Sequence, residues 1–385
     1  MMNKTLHTNS ESKLLSAPLE VRRAIYAHFD SGPLHASLWE GRIRISRCLQ
    51  PNLGDHQFDG HERRLIREIT TTDREYQSQP IWARRLDSTW GHHWECEELA
   101  LANEDAFDEG HMMRLAFVCK KMLMDVCDLL VEKSAFHITN LNMLNYHSPG
   151  LYLSDDAQAR SCIWNYLRPR IQDLRITLRL PLAFYQAFEG HDVSDSELAQ
   201  PEIEILSIMY DWNRFWFSVC NLKALRNLHV WLDHDHESSW SLVKERYVLL
   251  PVFDILAMRI KNASCHLGTP SFGVVFNLPK LHPNIAKPYS HFVSETKTQP
   301  FQVERRIRQR YHSQAPDQFS RVVKVAPDFP ALWYLACEEG VPEESRVVFE
   351  SLQLKDLEKL ETILWSEGTD PVLWDRENRG YIGCH

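Results

Sequence analysis

Long apolar runs are missing from this 385-residue sequence. No stretch approaches the roughly 18 consecutive apolar residues of a membrane-spanning helix, so no membrane association is expected. The opening "MMNKTLHTNSESKLLS" likewise holds no apolar run of the length a signal peptide uses. Positive charge is also scarce: 43 Lys and Arg face 52 Asp and Glu, for a net charge of −9. General binding to nucleic acid or to an anionic membrane needs a basic surface, and both are excluded on this balance. The nine cysteines form no C-x-x-C pair and are odd in number, which reads as scattered reduced thiols in cytoplasm or nucleus. The nucleophile elbow, the phosphate loop, the dinucleotide fingerprint and the H-E-x-x-H zinc helix are all absent, so neither an enzyme nor a cofactor is expected.

What is present belongs to an ordinary folded chain, with 44% hydrophobic and 25% charged residues and enough length for a large core. "SAPLEVRRAIYAHF" (16–29) reads as a helix opened by Pro18 and Glu20. On this reading Leu19, Val21, Ile25 and Phe29 are its apolar positions, and Arg22 and Arg23 face water. "RIRISRCLQP" (42–51) alternates as a strand, and "WGHHWECEELALANED" (90–105) reads as a turn into a short helix. A second apolar stripe, Leu115, Val118, Cys119, Met122, Val126, Leu129 and Leu130, predicts a helix across 111–133.

From residue 135 the chain alternates between strand and helix. "AFHIT" is followed by "IQDLRITLRL" (171–180), "LRNLHVWLD" (225–233) and "SFGVVFNLP" (271–279), with helical patterns near 155–168, 203–220 and 240–264. Strands separated by helices favour parallel crossovers. The last third is punctuated by Pro283, Pro288 and Pro300. The basic run within 301–313 reads as a solvated helix, and one or two further helices are expected in 341–368.

Two clusters carry metal-ligand chemistry. In "WGHHWECEE", His92 or His93 stands a helical turn from Cys96; in "DHDHE", His234 and His236 alternate with Asp233, Asp235 and Glu237. A structural zinc uses four nitrogen or sulfur ligands, and each cluster offers half a site, so no metal is assigned. A metal-dependent hydrolase built around the 92–96 or the 233–237 cluster is the less favoured alternative, and it would gain support if the two clusters met within ligand distance. More informative are the polar sides of the strands, which would align His137, Thr139, Arg175, Thr177, Arg179, His229, Trp231 and Asn277 if the strands are neighbours. Trp among Arg and His has the composition of a protein-binding hot spot, and Arg175, Thr177, Arg179, His229 and Trp231 are the candidate partner-binding residues. The competing reading covers this face with C-terminal segments and puts Trp231 in the core.

"LLSAPLEVRRAIY" (14–26) resembles the Leu-Pro-Leu-Glu-Ile-Arg opening of fungal F-box and F-box-like proteins, with Ala17 where that pattern has leucine. "LAFVCKKMLMDV" (115–126) resembles their Val-Cys-(Arg/Lys) helix, and Ile171, Leu174, Ile176 and Leu225, Leu228, Val230 resemble irregular leucine-rich repeats. The resemblance implies an N-terminal helical hairpin that binds the small Skp-type adaptor of a cullin–RING ubiquitin ligase through Pro18, Leu19, Val21, Ile25 and Val118. It also implies a C-terminal part that selects a protein target. The alternative is an F-box-like scaffold without a ligase role.

The expected fold is α/β: an F-box-like helical segment followed by an irregular, mostly parallel, leucine-rich-repeat-like sheet with flanking helices. The expected divisions are a disordered tail (1–13), the helical region (14–134) with an insertion at 31–110, the α/β domain (135–280) and a loop-rich, helical end (281–385).

Overall fold

The structure, a computed structural model, describes residues 12–29, 32–39, 42–49, 93–102, 114–145, 163–189, 203–236, 239–264, 272–284, 289–292, 301–306, 311–317, 320–325 and 354–371. The elements in chain order are α1 (Lys13–Ser16), α2 (Leu19–Tyr26), β1 (Leu34–Trp39), β2 (Arg42–Arg47), α3 (Trp94–Leu101), α4 (Lys120–Lys133) and β3 (Phe136–Ile138). They continue with β4 (Asp173–Leu180), α5 (Leu182–Glu189), α6 (Ile203–Cys220), β5 (Asn227–His234), α7 (Glu245–Ser264), β6 (Gly273–Pro279) and β7 (Gln302–Arg306). A separate antiparallel pair, β8 (Tyr311–Asp317) and β9 (Ser320–Val325), precedes α8 (Leu354–Ser366).

Alternation decides the main sheet. In β4 the even residues Leu174, Ile176, Leu178 and Leu180 are buried and the odd ones half-buried, the signature of a strand covered heavily on one side. In β5 Leu228, Val230 and Leu232 repeat it, and the pair lies parallel in register from Asp173 opposite Asn227 to Leu180 opposite His234. Among the described residues the sheet has seven strands in the order β2-β1-β3-β4-β5-β6-β7, parallel throughout except for the β1–β2 hairpin.

The apolar sides of these strands pack under helices. Phe276 of β6 meets Trp216 of α6 at 5.8 Å and Phe253 of α7 at 4.9 Å between ring centroids. Val126, Leu129 and Leu130 of α4 join the same buried cluster. Strand order that advances in one direction through crossovers of one hand puts the connecting helices on one side of a sheet. The polar side is left to other elements.

Several expectations are corrected. Residues 31–110, read as an insertion beside the core, supply β1 and β2 to the sheet itself, because Ala36, Ile43 and Ile45 extend the apolar row begun by Phe136 and Ile138. The helix expected over 111–133 is broken: α4 starts at Lys120, and Val118 closes a turn by donating its N–H to the Leu115 carbonyl. Instead of the hairpin implied by the resemblance, α2 and α4 lie side by side in the same direction. Lys121 bonds the Leu15 carbonyl, Arg22 bonds Asp125 and Arg23 bonds Glu132.

The basic run read as a solvated helix also proves different: its described residues lie in strands β7 and β8. Its charge is neutralised locally. Arg305 donates two hydrogen bonds to the fully buried carboxylate of Glu245, at 2.6 and 2.7 Å. Trp240 Nε1 and the Phe292 N–H complete the shell at 2.7 and 3.2 Å. The terminal helix expectation is met by α8, whose end is turned by Gly368 at φ 75°, a conformation glycine adopts without Cβ strain.

Burial alone would raise the Glu245 pKa, but the Arg305 and Trp240 hydrogen bonds, with His291 nearby, outweigh it and hold the carboxyl at about 2, below its ordinary 4.5. A depressed carboxyl contributes stability that is complete above its unfolded pKa and lost as pH falls through the folded one, roughly 3 kcal/mol here. Thermal unfolding of wild type and Glu245→Gln across a pH series should therefore show a gap in midpoint at neutral pH. That gap should shrink as pH drops from 4.5 toward 2.

Candidate functional site

Among the described residues, the polar side of the sheet is half-buried at its centre and buried toward both ends. In register, Arg175 of β4 stands beside His229 of β5, and Thr177 beside Trp231. All four, with Arg179, are half-buried, and the His229 and Trp231 rings lie parallel at 5.9 Å. Burial lowers the His229 pKa, opposed by Asp173, so the imidazole favours its neutral form. Toward β7 the row closes: Asn277 is buried and accepts from Arg306 Nε at 2.9 Å.

The other end closes under α3. Arg44, on the polar side of β2, is buried and bonds the Ala100 and Ala102 carbonyls. These are carbonyls left without helical partners at the α3 C-terminus, so the guanidinium ties that helix end down on the sheet. At the N-terminal end of α3, His93 and Cys96 point to His35, outward on β1, and to Cys48, directly after β2. All four are buried, and their ligand atoms lie within 4.8 Å of one another. Cys48 Sγ is 3.3 Å from His93 Nδ1, and Cys96 Sγ is 3.9 Å from the same nitrogen and 4.0 Å from Cys48 Sγ. The sulfurs are much too far apart for a disulfide bond. Cys96 also accepts the Leu49 N–H at 3.2 Å.

His137, from the next strand, rings the cluster at 4.6 Å from His35 and 5.0 Å from His93. Burial first, then neighbouring positive groups, push the His137 pKa well below its ordinary value, so it is a neutral imidazole. Burial lowers His35 in the same way. The Cys96 thiol is shifted below its ordinary range by its hydrogen bond with Cys48, with His35 and His93 adding to the effect against desolvation.

The structure thus joins His93 and Cys96, seen from their spacing, to His35 and Cys48, which sequence reasoning missed. The only local signals for the missing pair were a histidine on the polar side of a strand and a cysteine at a strand end. His92 lies outside the described residues. The 233–237 cluster does not join: His234 is buried against Trp240 at 5.7 Å, whereas His236 is exposed. Among the described residues the two clusters do not meet.

In α2 the expectation that Arg22 faces water is corrected. Arg22 and Tyr26 are buried, while Leu19, Val21 and Ile25 are 39%, 48% and 39% exposed, Val118 is 62% exposed, and Pro18 caps the helix on the outside. The cause is a specific polar network. Arg22 clasps Asp125 of α4 with two hydrogen bonds, at 2.7 and 3.3 Å, and gives a third to the Ala17 carbonyl at 2.6 Å. Three hydrogen bonds in fixed directions set the rotation of this short helix, and they outweigh burial of its apolar side.

The fold and this side-chain arrangement define an α/β protein with a mostly parallel sheet and flanking helices. A family model described as a domain of unknown function (DUF7730) matches residues 7–259, more than half of the chain, and the chain belongs to that family. No curated protein and no solved structure matches it. Among the described residues no helix is long and apolar enough to cross a membrane.

Arg22→Leu makes α2 more apolar, yet it should lower the thermal midpoint, because Asp125 loses its bidentate partner. Differential scanning calorimetry of the full chain checks this; an unchanged or higher midpoint would mean that the network does not hold the helix.

Proposed function

We propose that this chain is a non-enzymatic protein-interaction module. The helix α2 is the docking element, and the half-open strip on β4 and β5 selects a second protein. One observation carries the reading: α2 turns Leu19, Val21 and Ile25 outward while burying an arginine. Exposing aliphatic side chains costs about 1.5–3 kcal/mol for each that could have been fully buried, so an outward apolar side is retained where another surface covers it. On the strength of the F-box resemblance, the partner of that side is the Skp-type adaptor of a cullin–RING ligase, contacted by Pro18, Leu19, Val21, Ile25 and Val118. Arg175, Thr177, Arg179, His229 and Trp231 then meet the target, with Trp and Arg as anchors.

A second reading, an interaction scaffold without a ligase role, is favoured by the parallel run of α2 and α4 and by β1 and β2 lying between them in sequence. Co-purification of the tagged full chain with the adaptor separates the two. The first reading expects a stoichiometric complex that Val21→Asp and Ile25→Asp abolish without altering thermal stability, since both positions are exposed. No complex with the wild-type chain assigns the scaffold role. Trp231→Ala should leave adaptor binding intact and change the unfolding midpoint little; a large loss of stability would return Trp231 to the core.

A further inference from the structure

We propose that His35, Cys48, His93 and Cys96 bind one zinc ion in a closed tetrahedral site that fastens α3 to the polar side of the β1–β2 edge. The site stands apart from the docking reading, because none of its ligands belongs to α2 or to the β4–β5 strip.

The donor set comes first. Two imidazoles and two thiols with no carboxylate in the group are the Cys2His2 set that selects zinc among the common divalent ions. The spacing agrees. Zinc bonds of about 2.0–2.1 Å to nitrogen and 2.3 Å to sulfur at tetrahedral angles place ligand atoms about 3.3–3.8 Å apart. The separations of 3.3, 3.9 and 4.0 Å among Cys48, His93 and Cys96 fall at or just above that range. His93 and Cys96, three residues apart at a helix start, form one half of the grip; two adjacent strands form the other.

The surroundings are those of a structural centre. All four ligands are buried, so no position is left open for substrate or water, and the ion would act by holding rather than by reacting. The Leu49 N–H donates to the Cys96 sulfur, the kind of outer hydrogen bond that steadies a metal-bound thiolate. His137 packs against both ligand imidazoles, its ring centroid 4.6 Å from that of His35 and 5.0 Å from that of His93. Arg44 anchors the opposite end of α3, so the helix is held at both termini, by a guanidinium at one and by the ion at the other. Cys48 and His93 are far apart in sequence, and the binding free energy of the ion would offset the entropy lost in closing the long stretch between them.

The test is elemental analysis of the full-length protein purified without chelator, together with the visible spectrum of cobalt-substituted protein. The expected result is about one zinc per chain in wild type and in Cys220→Ser, whose thiol lies elsewhere, falling to near zero in Cys48→Ser and Cys96→Ser. Cobalt should give the intense d–d bands of a tetrahedral site with thiolate charge transfer from two sulfurs. Removal of the ion should lower the thermal midpoint. If the serine variants fail to fold, the wild-type cobalt spectrum and a zinc-retaining Cys96→His variant decide in their place. A wild-type chain that takes up neither metal overturns the proposal. So does a Cys48–Cys96 disulfide found by mass spectrometry, or zinc content unchanged in the serine variants.

Discussion

Parallel pairing of β4 with β5, eight residues in unbroken register, is the constraint on which the other parts of the structure depend. Because side chains alternate with a period of two, that register commits the leucine, isoleucine and valine rows of both strands to the helical side, and Arg175, Thr177, Arg179, His229 and Trp231 to the opposite side. A slip of one residue would bury Arg175 and Arg179 and expose Leu174, Ile176 and Leu178. The register is therefore protected by the whole apolar row at once. Once it is set, β3 and β6 can add only where their own rows continue it: Phe136 and Ile138 on one flank, Val274, Phe276 and Leu278 on the other.

Polar contacts then act at the margins of this sheet, each deciding one placement that hydrophobic burial leaves open. Arg22 with Asp125 sets the rotation of α2, Glu245 with Arg305 seats β7, and Arg44 with the α3 carbonyls draws a helix onto the polar side. Breaking a buried charge pair is costly because it leaves the other charge uncompensated, so each pair fixes the element that carries it. Glu245 fits that role, since its carboxylate is bonded by a guanidinium, an indole N–H and a backbone N–H.

The strands were legible in the sequence because one physical cause, burial of one side, writes one pattern. "DLRITLRL" and "NLHVWLDH" carry it without interruption, and the order of the central strands followed. The margins were not legible, since their partners are distant. Nothing near Arg22 announces Asp125, so the expectation that this arginine faces water is the one the structure reverses. Nothing near Arg305 announces Glu245, so a strand was read as a solvated helix. The buried cluster shows the same limit: the short spacing of His93 and Cys96 was visible, whereas His35 and Cys48 arrive from separate strands and meet them only in space.

The strand order has a consequence for how this architecture can change in length. The matched family region stops at residue 259, inside α7, yet β6 and β7 continue the same sheet beyond it. A sheet that is laid down strand after strand in one direction has a growing edge, like courses of brick. Further helix–strand units can be appended at that edge, or trimmed from it, without re-threading the courses already in place.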